Sequence, residues 1–244
     1  MPAPGYQTLA EPSEAPLFKE LSESNTQAFL QGSARIALAM NKPFGEYLLI
    51  EKRAGHVAEL ERLRAAFPDR RIRIAQGDAN HVLQDWIQCT DWQRTRAVVF
   101  LDPYGMQVEW SLIKAIADTQ AIDLWLLFPF GMGVNRLLTK EAPPPVWEEK
   151  LTRFFGTDEW RDRFYQRQID MFGNVFEPRL ANAASIKQFF IERLATIFAA
   201  VAPNPLVLTN SRNNPLYLLC FAAGNPKGAQ TALKIAQHIL GHTP

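Results

Sequence analysis

Three acidic residues stand just past the ends of short apolar runs, where a carboxylate can be presented to a ligand. Glu51 follows Tyr47-Leu48-Leu49-Ile50, Asp78 follows Ile72-Arg73-Ile74-Ala75 by way of Gln76-Gly77, and Asp102 follows Ala97-Val98-Val99-Phe100-Leu101. A carboxylate at a strand tip can accept hydrogen bonds from both hydroxyls of a ribose, which makes Glu51 a nucleotide-sugar candidate. The same residue can equally be a solvated acid or the cap of the helix that follows. Gly77 lets a backbone approach a ligand closely. Asp78 beside it can accept from an adenine amino group, or it can cap a helix starting near His81. Asp102 opens Asp102-Pro103-Tyr104-Gly105, which is also a favoured turn sequence with proline at its second position. A fourth segment, Phe128-Pro129-Phe130-Gly131-Met132-Gly133-Val134-Asn135-Arg136, reads as a mobile glycine loop opening a helix. Its backbone amides could hold an anion, with Arg136 contacting a phosphate or carboxylate and Asn135 next to it.

Other chemistries find little in the residues. The glycine segment lacks the Lys-Ser/Thr ending of a P-loop and the third glycine of a dinucleotide fingerprint. His56, His81, His238 and His242 have no metal-ligand spacing, and no Gly-x-Ser-x-Gly elbow occurs. Cys89 and Cys220 are isolated and read as reduced thiols. Asp78 and Asp102 on neighbouring strands could together hold magnesium in a nuclease-like or nucleotide-binding site.

The elements that would position these residues follow from periodicity. Helical spacing predicts helices over Thr26–Met40, Ala54–Phe67, His81–Cys89, Trp110–Asp118, Ser185–Val201 and Lys227–Leu240. Strands are predicted at Tyr47–Ile50, Ile72–Ala75, Ala97–Leu101, Asp123–Phe128, Pro205–Thr209 and Leu216–Ala222. Alternating strand and helix means a mostly parallel sheet covered on both faces, so the fold class is α/β. The link Asn210–Pro215 is too short for a crossover, which makes the last two strands an antiparallel hairpin. Between about 130 and 183 the alternation breaks, and Trp147, Leu151, Phe154, Phe155, Trp160, Phe164 and Tyr165 predict a helical insertion capping the sheet. Residues 1–25 read as an irregular segment, and 26–244 as one domain.

Bulk properties narrow the class. Basic and acidic residues number 26 and 25 in a chain of 244, which argues against a nucleic-acid binder driven by bulk charge. A local basic face at Arg62, Arg64, Arg70, Arg71 and Arg73 leaves nucleic acid open as a partner. The hydrophobic fraction is 47%, with no apolar run long enough for a membrane helix. Met1–Tyr6 lacks the features of a secretory signal, so the expected compartment is the cytoplasm, without a membrane partner.

Ile50-Glu51-Lys52, Gln76-Gly77-Asp78-Ala79-Asn80, Phe100 to Gly105, Asp123-Leu124-Trp125 through Phe128-Pro129, Gly131 to Leu137, and Phe221-Ala222 to Asn225-Pro226 together resemble the three-Cys-motif partner family. The likeness runs from about Gln27 to His238. Members lie beside genes for a three-Cys-motif protein in bacterial and phage genomes, which implies that protein as a partner. Their domain is similar to class I S-adenosylmethionine-dependent methyltransferases, whose plan is a parallel sheet ending in an antiparallel hairpin. The resemblance implies a Rossmann-like fold, S-adenosylmethionine as cofactor, Glu51 on the ribose, and Asp78 with Ala79 on the adenine. Amino-group methyltransferases acting on bases place an acid or amide, prolines and an aromatic where Asp102, Pro103 and Tyr104 stand. There the side-chain oxygen and a backbone carbonyl accept from the target amine and the ring stacks on the base. Two departures carry expectations of their own. The family's first strand ends in a glycine-rich turn that approaches the methionine part of the cofactor. Gly5 in Pro4-Gly5-Tyr6 is its sole counterpart, so that first strand is expected to be missing and cofactor binding to be poor. The proline pair of the acceptor motif is reduced to Pro103. A non-catalytic adaptor docking the three-Cys-motif protein is the competing expectation.

Overall fold

The computed structural model describes residues 33–103 and 105–241, so Gly5, Tyr104 and the first half of the expected helix Thr26–Met40 lie outside the described residues. Two compact units make up the chain, Met1–Asp78 and Ala79–Pro244, a finer division than the single domain read from the sequence.

In the first unit a helix, α1 (33–38), precedes β1 (Tyr47–Glu51), α2 (Ala54–Ala65) and β2 (Ile72–Gln76). The strands pair in parallel with Tyr47 opposite Ile72 and Glu51 opposite Gln76. That register puts the carboxyl ends of both strands at one rim. The intervening helix is the crossover that parallel pairing requires. Leu38, Tyr47, Leu63 and Ile72 form the core, with Ala34, Ala37, Leu49, Phe67 and Ile74 against it. The Tyr47 hydroxyl donates to the Ala37 carbonyl at 3.2 Å and accepts from the Phe44 N–H at 3.1 Å. The expected basic face is partly spent inside the unit. Arg70 donates to the Leu38 and Met40 carbonyls at the end of α1, while Arg64 pairs with Glu61 and Arg73 with Glu46.

The second unit runs α3 (Ala79–Cys89), β3 (Ala97–Leu101), α4 (Trp110–Asp118), β4 (Ile122–Phe128), a π-helical turn (Phe130–Val134), α5 (Asn135–Leu137), α6 (Pro145–Phe155) and α7 (Trp160–Phe164). It continues with β5 (Gln168–Ile169), β6 (Val175–Phe176), α8 (Ala183–Ala195), β7 (Ala200–Val201), β8 (Leu206–Thr209), β9 (Pro215–Ala223) and α9 (Ala229–Gly241). β3 and β4 are parallel neighbours. β9 lies antiparallel beside β4, and its other edge takes first β8 and then β7, both antiparallel to it. Every strand of this sheet except β9 therefore points one way, and the expected closing hairpin is present as β8 and β9. The fold is mixed α/β.

Alternation assigns the two faces of that sheet. Val99, Leu101, Leu124, Leu126, Phe128, Leu218 and Cys220 are buried on one face. The Phe128 and Phe190 ring centroids, 4.3 Å apart, put α8 there, and Arg193 of α8 over the Trp110 ring puts α4 beside it. The opposite face carries Trp125, Phe221, Ala223, Leu206 and Leu219 under the Ala229, Ala236 and Leu240 side of α9. The two-sided burial expected of β3 fails on this face: Val98 and Phe100 are 48% and 43% exposed.

The aromatic insertion caps the first face as expected. Phe154, Phe155, Trp160 and Phe164 are fully buried, and Phe154, Phe155 and Phe164 interlock with Phe128, Phe189 and Phe190 at centroid distances of 5.1–6.4 Å, each such pair adding about 0.5–1.5 kcal/mol beyond its area. The insertion is not wholly helical, because β5 and β6 form a short antiparallel hairpin. The helix expected over Ser185–Val201 ends at Ala195. It starts where the Asn182 side chain accepts from the Ser185 N–H and the Ser185 hydroxyl accepts from the Asn182 N–H, a capping box. Ala200 and Val201 join the sheet instead, because β9 offers them an unpaired edge. Among the described residues no helix is long and apolar enough to cross a membrane.

Candidate functional site

The strand-tip carboxylates fall in both units. In the first unit, Glu51 is the last residue of β1, paired with Gln76 at the end of β2, and Asp78 stands two residues beyond that paired end. One Glu51 carboxylate oxygen accepts from the Arg53 N–H at 2.8 Å, and the other lies 3.6 Å from His56 Nδ1. Both oxygens thus lie against the start of α2, although its N-cap is Arg53 and has no side-chain cap, and each oxygen retains a lone pair. The Glu51 backbone carbonyl accepts from Gly77 N–H at 3.0 Å, which closes the two loops together. Asp78 pairs with Lys52 at 3.2 Å across the same rim; the lysine is largely exposed, so the pair contributes under about 1 kcal/mol. The sequence reading missed Lys52 and His56 as partners of these carboxylates. The signal was there in their adjacency to Glu51, but β/α-loop geometry decides which acid each one meets.

In the second unit, Asp102 follows the last residue of β3. It is half-buried, and among the described residues no group hydrogen bonds or ion-pairs with its carboxylate. Burial alone pushes its carboxyl above the ordinary aspartate value, since a low-dielectric surrounding disfavours the charged form. Pro103 is buried, which fixes the backbone direction. Gly105 is left-handed, with φ +65°, a conformation that glycine takes without steric cost.

Asn80, near the start of α3, holds this loop from outside. Its side-chain N–H donates to the Gln107 carbonyl at 2.8 Å and its oxygen accepts from the Glu109 N–H at 3.0 Å. Glu109 is the residue before α4. The sequence placed Asn80 in a motif without a role; the two-point clamp is a tertiary fact. Ala79, the first residue of α3, offers backbone alone.

The glycine segment after β4 departs from its expectation. Phe130–Val134 is a packed π-helical turn closed by Val134 N–H on the Pro129 carbonyl at 3.0 Å. Phe130 and Val134 are buried, a Cβ on Gly131 would run into the Pro215 carbonyl, and one on Gly133 would press on Met106 and Pro129. These glycines serve close packing of a loop against β9, not mobility. Asn135 is also committed: its side-chain oxygen accepts from Arg179 at 2.6 Å, and the same guanidinium takes the carbonyls of Asn135, Leu138 and Ala181. Arg136 remains exposed. Among the described residues no cluster of His, Cys, Asp or Glu could hold a metal ion.

The fold and these residues define a mixed α/β protein with acidic strand ends and a clamped Asp-Pro loop. No protein-family model matches the chain, and no curated protein or solved structure matches it.

Proposed function

We propose that the chain is built as an S-adenosylmethionine-dependent methyltransferase of the amino-group type, acting on the amine of a nucleic-acid base or a similar acceptor. The observation that carries this reading is Asp102: a carboxylate at the carboxyl end of a parallel strand, half-buried, with its lone pairs uncommitted among the described residues. Open α/β sheets bind ligands at that end of their strands, and partial burial strengthens each hydrogen bond a carboxylate accepts. Asp102 and the Pro103 backbone would take the target amine, and Tyr104 would stack on the base. The donor set of the first unit suits the nucleoside half of the cofactor: Glu51 for the ribose hydroxyls, Asp78 and Ala79 for the adenine. Gly5 is the counterpart for the methionine half. The strand directions within the second unit, with β9 reversed between β4 and β8, agree with the class I methyltransferase plan.

Isothermal titration calorimetry of the chain with S-adenosylmethionine tests the reading. Binding that Asp78→Ala weakens at least about tenfold supports it; absence of heat from both proteins sinks it. The competing reading, a non-catalytic adaptor for a three-Cys-motif protein, is favoured by Glu51, whose two oxygens already lie against the start of α2. Co-purification of the two proteins with Asp102→Asn still bound would support the adaptor.

A further inference from the structure

Asn80 makes contacts that its own helix does not call for. It is the second residue of α3, and near a helix start the oxygen of an asparagine ordinarily accepts from the first-turn amides of that same helix. Here both polar atoms of the side chain reach the loop before α4. The carboxamide N–H donates to the Gln107 carbonyl at 2.8 Å, and the carboxamide oxygen accepts from the Glu109 N–H at 3.0 Å. The two bonds close a ring through the backbone of Gln107, Val108 and Glu109, and Val108 at its middle is buried. Glu109 is the N-cap of α4 and gives that helix no side-chain cap. The entry to α4 is therefore held from α3.

The same loop carries Asp102. It leaves β3 through Asp102 and the buried Pro103, whose ring fixes its own φ near about −65°. Beyond Gly105, Met106 lies against Gly133 and Pro129 of the turn after β4, and the next polar backbone groups are those that Asn80 takes. The loop is thus pinned at two points, one on the β4 turn and one on α3, with Asp102 at its start. Among the described residues no group hydrogen bonds or ion-pairs with the Asp102 carboxylate. Contacts of its own therefore do not set its direction. The path of the backbone that follows it does.

We infer that Asn80 is a positioning residue for Asp102: its two-point clamp holds the loop in the shape that keeps the Asp102 carboxylate half-buried and directed at the acceptor amine. This role rests on the acceptor function proposed for Asp102 and adds the group that sets its geometry. Reacting groups are held about 3–3.5 Å apart, and a misplacement of about 1 Å costs on the order of a hundredfold in rate. A carboxylate without partners of its own takes that precision from the residues that lock its loop. The clamp also governs the electrostatics of the site. Burial alone raises the Asp102 carboxyl, so a loop that loosens and admits water lets it fall. Its titration therefore reads how firmly the loop is closed.

Carboxyl NMR of the full chain, labelled at its aspartates, tests the inference, with the Asp102 resonance assigned as the one that Asp102→Asn removes. In Asn80→Ala the Asp102 midpoint is expected to fall toward the ordinary 3.8. The amides of residues 105–109 should exchange with deuterium at least about tenfold faster than in the native chain. Gly173→Ala strains a turn outside this loop, at φ +82° with open space at its Cβ. It lowers stability through the backbone alone and should leave the Asp102 midpoint at its native value, which separates positioning from a general loss of stability. An Asp102 midpoint unchanged in Asn80→Ala, loop exchange that does not quicken, or an equal shift in Gly173→Ala overturns the inference. If Asn80→Ala fails to fold, Asn80→Ser decides, because its hydroxyl suits a helix start but is one bond too short for the two contacts. None of these readouts uses S-adenosylmethionine. A chain that binds no cofactor ends the acceptor reading, while the effect of the clamp on Asp102 is still measured.

Discussion

Gly156→Ala tests how the second unit locks the helix that follows the Asp102 loop. Gly156 ends α6 in the left-handed conformation, φ +69°, where an alanine costs about 1–2 kcal/mol. A Cβ there would also enter the Trp110 indole ring. Trp110 is the first residue of α4 and 8% exposed. The Arg193 guanidinium lies 4.8 Å from its ring centroid and donates to the Phe155 carbonyl at 3.2 Å, capping the end of α6. Displacing the indole overpacks this junction by about 1–3 kcal/mol, giving a total of about 2–5 kcal/mol. In a chain of this size each kcal/mol lowers Tm by roughly 2–4 °C, so a fall on the order of 4–20 °C is expected by calorimetry or circular dichroism. Two comparisons separate the contributions. Gly173→Ala has the same backbone sign, at φ +82°, with open space at its Cβ, and should show the backbone part alone. In a Trp110→Leu background Gly156→Ala should lose its packing part, a coupling of at least about 1 kcal/mol. Equal loss from Gly156→Ala in both backgrounds, or a Tm shift within about 2 °C, would refute the reasoning.

Other outcomes follow from the same contacts. Asp102 has its carboxyl raised by burial, so the folded state holds that proton more tightly than the unfolded chain. Its ionisation therefore destabilises the fold as pH rises from the unfolded value of 3.8 through the raised folded value, and the penalty is complete above it. Asp102→Asn should accordingly stabilise the protein more at pH 7.5 than at pH 4.5 in urea melts; a gain that does not grow with pH contradicts this. Cys220 is buried, its thiol pushed well up by desolvation, and Cys89 is exposed, so a disulfide reagent should titrate one thiol in the native chain and two in denaturant. Arg179→Met keeps an apolar stem but leaves the carbonyls of Asn135, Leu138 and Ala181 and the Asn135 side chain without their donor. A loss of about 1–3 kcal/mol in chemical denaturation is expected, whereas unchanged stability would show that solvent replaces the guanidinium.

The sequence by itself determined the elements and which residues stand at their ends. Ala97–Leu101 and Trp110–Asp118 lie where periodicity put them, and Glu51 ends a strand while Asp78 and Asp102 follow one, because the two-residue and 3.6-residue periods record burial directly. The short Asn210–Pro215 link likewise dictated an antiparallel hairpin. Tertiary structure decided what those residues do with their polar atoms. Asn135 looks like an anion ligand beside two glycines until Arg179, 44 positions along, claims its oxygen. Gly131 reads as a hinge until the Pro215 carbonyl arrives against it, and Asn80 has no role until the loop before α4 folds onto it. Val98 and Phe100 carry the pattern of a strand buried on both faces, yet they are 48% and 43% exposed. A strand's own residues record that a face is apolar. What comes to lie on it is set by segments distant in the chain, and no local period encodes them.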